Sequence, residues 1–192
     1  MEQRTLVEDA ARGDATAFET LVRAHSNRLF AIAYRILRDH HAAEDALQSA
    51  LVTIWDELPR LRDPDRFEAW TYRLISRASI AQARRDRRGG AVLRLLPDDV
   101  DGGPAALAGT AGAGIDAITD RDRIERGFAR LTPEQRAILV LQHYAGLTLA
   151  EIADTLGVPP GTVASRLHYA SRALRAAIDA DDRPSDPKER TA

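Results

Sequence analysis

The chain has 192 residues, 44% of them apolar, and its 27 lysines and arginines nearly balance 29 aspartates and glutamates. That is enough apolar content for packed cores, and the absence of cysteine excludes a disulfide framework, a Cys-zinc site and thiol chemistry. No stretch approaches the roughly 18 uninterrupted apolar residues of a membrane span, and the start, MEQRTLVEDAARGDATAF, lacks the basic-then-apolar order of a signal peptide, so a cytoplasmic chain with no membrane insertion is expected.

Charge is unevenly spread. Residues 1–88 carry 15 basic against 14 acidic groups, 89–120 carry 1 against 5, 121–178 carry 8 against 5, and 179–192 carry 3 against 5. A basic block at 84–94, RRDRRGGAVLR, abuts an acidic stretch, and this local balance says more about partners than the total does.

From Asp14 to Arg88 the apolar spacing is helical. Phe18, Leu21, Val22 and His25 start one stripe; Leu29, Ile32, Ala33, Ile36 and Leu37 form a second; Leu47, Leu51, Ile54, Trp55 and Leu58 form a third. DPDRFEAW then signals a helix start, with Asp63 as N-cap and Pro64 in the first turn, and Phe67, Trp70, Leu74, Ile75 and Ala78 continue it toward the arginines. Four helices close a small bundle without a strand.

Residues 89–120 are rich in Gly, Ala, Asp and Pro and read as a flexible acidic linker, spanning roughly 30 Å as a coil and about 100 Å when extended. Beyond it, Thr132, Pro133 and Gln135 form a capping box with proline in the first turn, and Ala145-Gly146 ends that helix. Thr148 and Glu151 repeat the device for a short helix with Leu149, Ile152, Ala153 and Leu156 inward, and Gly157 ends it.

In GVPPGTVASRL, the prolines at 159 and 160 would cost about 3 kcal/mol inside a helix and therefore mark a boundary. A helix is predicted from Gly161, with Val163, Leu167, Ala170 and Leu174 as its buried stripe. At 100° per residue, Ser165, His168, Tyr169 and Arg172 then point outward, with Thr162 and Arg166 on the flank. Hydroxyls, rings and guanidinium groups on one face suit phosphates and base edges in a major groove, and Gly161 leaves the helix start open to a phosphate. The plain alternative is a solvated helix in a three-helix bundle. The polar tail, 179–192, reads as disordered. The fold class is all-α: two small helical domains, 1–88 and 121–178, joined by the linker.

LTPEQRAILVLQHYAGLTLAEIADTLGVPPGTVASRLHYASRALR resembles the C-terminal DNA-binding domain of bacterial RNA polymerase sigma factors of the extracytoplasmic-function (ECF) group. AFETLVRAHSNRLFAIAYRILRDHHAAEDALQSALVTIW, followed by FEAWTYRLISRASIAQARRDRR, resembles that group's N-terminal domain. The resemblance implies a chain that binds core RNA polymerase and directs promoter recognition and transcription initiation. Its docking surface would be Asp45, Leu47, Gln48, Leu51 and Trp55, with a core role as the alternative for the two leucines and the tryptophan.

The minus-ten promoter element would be bound by the loop carrying Arg62 and Arg66 and by the helix after it. With Phe67, Trp70, Leu74 and Ala78 inward, Tyr72, Ser76 and Ser79 form an outward strip beside Arg73, Arg77 and Arg84, where a tyrosine stacks a base and arginines hold its backbone. The minus-thirty-five element falls to Gly161, Thr162, Ser165, Arg166, His168, Tyr169 and Arg172. An anti-sigma protein is a further partner the resemblance allows. Four positions depart from the group's pattern: Ala78 and Gln82 stand where it often has asparagine and aspartate, and Ala164 and Tyr169 where it often has a basic residue.

His40, His41 and Glu44 have spacing that suggests a metal, but adjacent histidines point about 100° apart on a helix, so no metal site is expected. There is no Gly-rich phosphate loop and no Ser/His/Asp set, so neither catalysis nor a cofactor is expected. Two other readings stand beside the sigma factor: a free-standing helix-turn-helix regulator with a sensor or dimerisation bundle, and a protein-binding helical module.

Overall fold

The computed structural model describes residues 2–89 and 115–181, and every regular element among them is helical. Helix α1 (Gln3–Ala11) buries Val7 and Ala10. After a tight turn at Gly13, where φ is 97°, the Asp14 carboxylate accepts from the backbone N–H of Thr16 and Ala17 at 2.8 and 3.1 Å and starts α2 (Ala15–Leu37). The two stripes read at 18–25 and 29–37 lie on this one 23-residue helix, because no glycine, proline or cap separates them. The fourth helix of the N-terminal half is instead α1, which the sequence reading did not place.

Asp39 caps α3 (His40–Glu57) through the Ala42 N–H at 2.7 Å. A 3₁₀ turn at Leu58–Arg60 and a second at Pro64–Arg66, capped by Asp63, lead into α4 (Phe67–Gly89). Helices α2, α3 and α4 pack on one another. Leu21, Leu29, Ile32, Ile36, Ile54, Leu58 and Ile75 are fully buried there, each worth about 1.5–3 kcal/mol relative to exposure.

The C-terminal half contains α5 (Ile115–Ala129), α6 (Pro133–Leu139), α7 (Leu149–Leu156) and α8 (Pro160–Asp181). Helix α5 begins inside the stretch read as linker, and α8 runs on to Asp181, so 179–181 of the tail expected to be disordered are helical; residues 90–114 and 182–192 lie outside the described residues. Both expected capping boxes form, Thr132 with Gln135 and Thr148 with Glu151. Gly157 ends α7 at φ 66°, a left-handed conformation that glycine adopts without a Cβ penalty. Pro160 is itself the first residue of α8, one earlier than predicted, since a first-turn proline lacks only a donor that would be unpaired anyway.

A feature the sequence did not reveal is a π turn at Val140–Tyr144, where the Ala145 N–H reaches back to the Val140 carbonyl at 2.9 Å. Leu139, Val140 and Leu141 are all buried around this wider turn.

The two halves pack together: α6 and α7 lie against α4, and α6 and the π turn against α2. Buried residues of both halves form one cluster. At this junction the Arg136 side chain, only 7% exposed, donates through Nε to the Ile36 carbonyl at 2.6 Å and through Nη1 to the Leu131 carbonyl at 2.9 Å.

Helices α5 and α8 pack so closely that a Cβ on Gly127 would lie 2.8 Å from Ile178 Cγ1 and 3.1 Å from Leu174 Cδ1. Gly127→Val is therefore expected to destabilise the chain by about 1–3 kcal/mol through overpacking. A denaturant melt with an unchanged midpoint would show that this pair of helices gives way freely.

Candidate nucleic-acid and partner interfaces

Helix α3 turns one face to the core through Ala42, Ala43, Ala46, Ala50 and Ile54. Its opposite face is a ridge at three- and four-residue steps: Asp45 and Gln48 are exposed, Val52 is 63% exposed and Trp55 36%. Trp55 is held upright by an edge-on contact with Phe18, ring centroids 4.8 Å apart. Leu47 and Leu51 are half-buried and pack against the core. The expected docking surface contains Leu51 and lacks Val52, although the i, i+3, i+7, i+10 progression from Asp45 leads to Val52.

On α4 the expected outward strip is overturned. Tyr72 is 4% exposed and Ser76 and Ser79 are 0% exposed, while Trp70 and Ala78, expected inward, are half-buried. The cause is that α4 is covered twice, by α2 and α3 on one side and by α6 and α7 on the other. The Ser79 hydroxyl donates to the Ile75 carbonyl at 2.8 Å, as a buried hydroxyl must find a local acceptor. Tyr72 lies under the Arg28 guanidinium, 5.5 Å from the ring centroid; burial and the neighbouring Glu68 push its hydroxyl pKa up, against a smaller opposing effect of Arg28.

What remains outward on and before α4 is arginine: Arg62, Arg66, Arg77 and Arg84 are exposed and Arg73 is half-buried. Three of them meet the helix-turn-helix. Arg77 donates through Nε to the Thr155 carbonyl and through Nη2 to the Asp154 carbonyl, both at 2.8 Å. Arg66 pairs with Glu151 at 3.3 Å and Arg73 with Asp154 at 3.6 Å. Further along, Arg87 pairs with Glu134 at 3.2 Å. Burial pushes the Glu134 carboxyl up, but its own backbone N–H and the guanidiniums of Arg87 and Arg84 outweigh that and hold it below its usual range. The Glu151 carboxyl is also held low, first by the Thr148 backbone and hydroxyl of the capping box, with Arg66 adding to it.

Helix α8 has the predicted orientation. Val163 and Ala170 are 0% exposed, Leu167 and Leu174 pack against the core, and Gly161, Ser165, Arg166, His168, Tyr169 and Arg172 are exposed, with Thr162 half-buried. Tyr169 is 64% exposed and sits edge-on to His168 at 5.9 Å between ring centroids. The Ser165 hydroxyl donates to the Thr162 carbonyl at 3.0 Å. Arg166 and Tyr169 border a cleft of about 750 Å³ between α4 and the C-terminal half, whose other wall includes Arg77, Ile80 and Arg84.

His40 and His41 each lie near the Glu44 carboxylate, at 3.3 and 3.6 Å, and no group of three potential metal ligands occurs among the described residues. None of the helices described is long and apolar enough to cross a membrane.

Described residues that are helical in every regular element, with a ridge on α3, an arginine row on α4 and a helix-turn-helix at α7 and α8, have the build of a promoter-binding factor. Residues 21–89 match the family described as Sigma-70 region 2, and residues 127–176 match Sigma-70, region 4. The chain is 34% identical over 170 residues to the ECF RNA polymerase sigma factor SigL of Mycobacterium tuberculosis, covering 88% of this chain and 93% of that protein. It is also 34% identical to SigE of Mycolicibacterium smegmatis, over 86% of this chain but 64% of that longer protein. The chain belongs to the ECF RNA polymerase sigma factors.

Among solved structures, CnrH in complex with the cytosolic domain of CnrY superposes with a TM-score of 0.61 at 24% identity, covering 93% of this chain and 98% of CnrH. The sigma factor RpoE of Bartonella quintana, in complex with the anti-sigma factor NepR, gives 0.64 at 21% identity, covering 85% and 98%. These two likenesses concern the fold.

Proposed function

We propose that the chain binds core RNA polymerase through the ridge of α3 and directs transcription initiation by reading promoter DNA at two places. The observation that carries this reading is the pairing of one exposed ridge on α3, half polar and half apolar, with a separate polar face on α8, each in the segment matched by its own sigma region. On α3, Asp45 and Gln48 supply polar contacts to a basic partner surface, and Val52 and Trp55 supply the apolar ones. The arginines from Arg62 to Arg84 hold the backbone of the minus-ten strand, as positive grooves do for single strands. With Tyr72, Ser76 and Ser79 buried, the arginines take first contact. Helix α8 reads the minus-thirty-five element in a major groove through Gly161, Thr162, Ser165, Arg166, His168, Tyr169 and Arg172.

The chain acts as a specificity factor without catalysing a reaction, in the cytoplasm where its polymerase is. Its activity is controlled by an anti-sigma protein, in keeping with the complex of the similarly folded RpoE with the anti-sigma factor NepR.

The decisive experiment adds the purified full chain to core polymerase and measures initiation on a library of promoter fragments. Initiation confined to a subset sharing two spaced elements supports the reading, and initiation no different from core polymerase alone refutes it. In the same system, Asp45→Arg with Gln48→Ala should weaken polymerase binding about tenfold while the circular dichroism spectrum is unchanged. Unaltered affinity in a titration would remove those two residues from the docking surface.

A further inference from the structure

A cavity of about 530 Å³ is lined by α2, α5, the end of α6 and the π turn. It shares no residue with the cleft bordered by Arg166 and Tyr169, and none of the roles proposed above for α3, α4 and α8 falls on it. Four rings line it: Phe30 and Tyr34 on α2, Phe128 on α5 and Tyr144 in the π turn. Phe30 and Tyr34 are nearly parallel, 19° apart with centroids separated by 6.2 Å. Ile124, 49% exposed, adds apolar surface that a ligand would cover. The same walls carry three guanidiniums, Arg35, Arg38 and Arg121, against one carboxylate, Glu125. Cavities of about 300–1,000 Å³ with apolar and aromatic walls and a few convergent polar groups are the form small-molecule sites take.

Two departures from regular helix border this one cavity. Arg38 follows the last residue of α2 at φ 59° and is the one non-glycine among the described residues with a positive φ. Glycine is favoured in that left-handed conformation, and an arginine there strains the backbone. What arginine contributes in return is a guanidinium at the cavity wall, where Nη1 donates to Glu125 at 2.6 Å. The second departure is the π turn, a form that concentrates at functional sites, which brings Val140, His143 and Tyr144 to the cavity together. The Tyr144 ring is held in place by the guanidiniums of Arg35 and Arg28, 4.0 and 5.0 Å from its centroid, and Arg28 also donates to the Tyr144 carbonyl at 3.1 Å. Rings and cations set in advance reduce the ordering that binding requires.

We propose that this cavity is a binding site for a small flat aromatic anion, one ring system carrying a carboxylate or a phosphate. The ring packs among Phe30, Tyr34, Phe128 and Tyr144, as aromatic groups do in offset or edge-on contact. Its anionic group is held by Arg38 and Arg121, since guanidiniums fork onto carboxylate and phosphate alike. Three guanidiniums against one carboxylate disfavour a cationic ligand. An uncharged ring leaves the cations unanswered and an inorganic anion leaves the rings uncovered, so one molecule must carry both features.

Isothermal titration of the full chain tests the site with two probes, 1-naphthoate as an aromatic carboxylate and adenosine monophosphate as an aromatic phosphate. At least one should bind at a single site with a Kd below about 0.3 mM, and the tighter of the two assigns the anionic group. The uncharged 1-naphthalenemethanol and inorganic phosphate should each bind at least about tenfold more weakly. Arg38→Gly keeps the left-handed turn, which glycine adopts freely, and removes the guanidinium; Arg121→Gln removes the second cation. Each should weaken the bound probe at least about tenfold. Arg23→Gln, which removes an exposed guanidinium of α2 outside the cavity, should leave the Kd unchanged. If circular dichroism shows Arg38→Gly misfolded, Arg121→Gln decides, because Arg121 sits on α5 away from the strained turn.

Both probes binding more weakly than about 0.3 mM overturns the site. A Kd that neither arginine substitution moves overturns it as well, since the probe then sits elsewhere. The uncharged alcohol binding as tightly as naphthoate overturns the recognition of an anion. Promoter-directed initiation by the unmodified chain reports separately on the sigma-factor reading, which stands or falls independently of these titrations.

Discussion

Val52→Glu combined with Trp55→Glu should lower affinity for core RNA polymerase by about a hundredfold. Val52 is 63% exposed and Trp55 36%, and they stand one turn apart on the side of α3 away from its alanine-lined buried face. Tryptophan dominates interface energetics when its ring enters a desolvated pocket, with truncation costing 2 kcal/mol or more, and a hundredfold loss corresponds to about 2.7 kcal/mol. Introducing two carboxylates also leaves buried charge without a partner. The cost to folding is smaller: Trp55 loses its edge contact with Phe18 at 4.8 Å, worth about 0.5–1.5 kcal/mol. A binding titration alongside a thermal melt separates the two effects. If affinity falls only in proportion to the unfolded fraction, the ridge is a folding feature and polymerase docks elsewhere.

The capped boundaries were the most legible part of the sequence. Asp63-Pro64, Thr132-Pro133-Gln135, Thr148-Glu151 and Gly157 each announce a local backbone event, and all four occur at the expected residues. The reading face of α8 was legible for the same reason: a helix with one apolar stripe, Val163 to Leu174, has only one way to face solvent. Helix α4 was not legible, because a helix covered on two sides has no single buried stripe, and the assumption of one inward face sent Tyr72, Ser76 and Ser79 to the wrong side. Nothing local in Ser76 tells that α6 and α7 will close over α4; that is tertiary information carried by residues far along the chain, such as Arg136 meeting Ile36. The π turn escaped for a related reason, since its sequence, VLQHY, is helical in composition and only the i to i−5 bond of Ala145 to Val140 distinguishes it.

Arg172→Ala on α8 should change promoter recognition in one of two measurable ways, and Tyr169→Arg should change it in the opposite direction. Arg172 is exposed two turns beyond Ser165, on the same side as His168, and it shares its helix's charge with Arg166 and Arg175 alone among the basic residues from 160 to 178. If it forks onto a guanine edge, its loss should cost about 1–3 kcal/mol, or roughly 5- to 150-fold, and relax discrimination at one base pair. If it holds a phosphate, all sequences should weaken alike and the slope of log affinity against log salt should become shallower by about one unit. Tyr169, 64% exposed, stands at the cleft edge beside Arg166 where a guanidinium can reach a backbone phosphate. Tyr169→Arg should therefore tighten binding to every minus-thirty-five variant and steepen the salt slope by about one unit, most visibly at low salt. Because Val163 and Ala170 hold α8 in place from the buried side, neither change should disturb the fold. Holoenzyme binding to promoter variants across a salt series measures affinity, selectivity and slope together. If both substitutions leave all three where they were, α8 is an ordinary solvated helix and the reader of the upstream element lies on another surface.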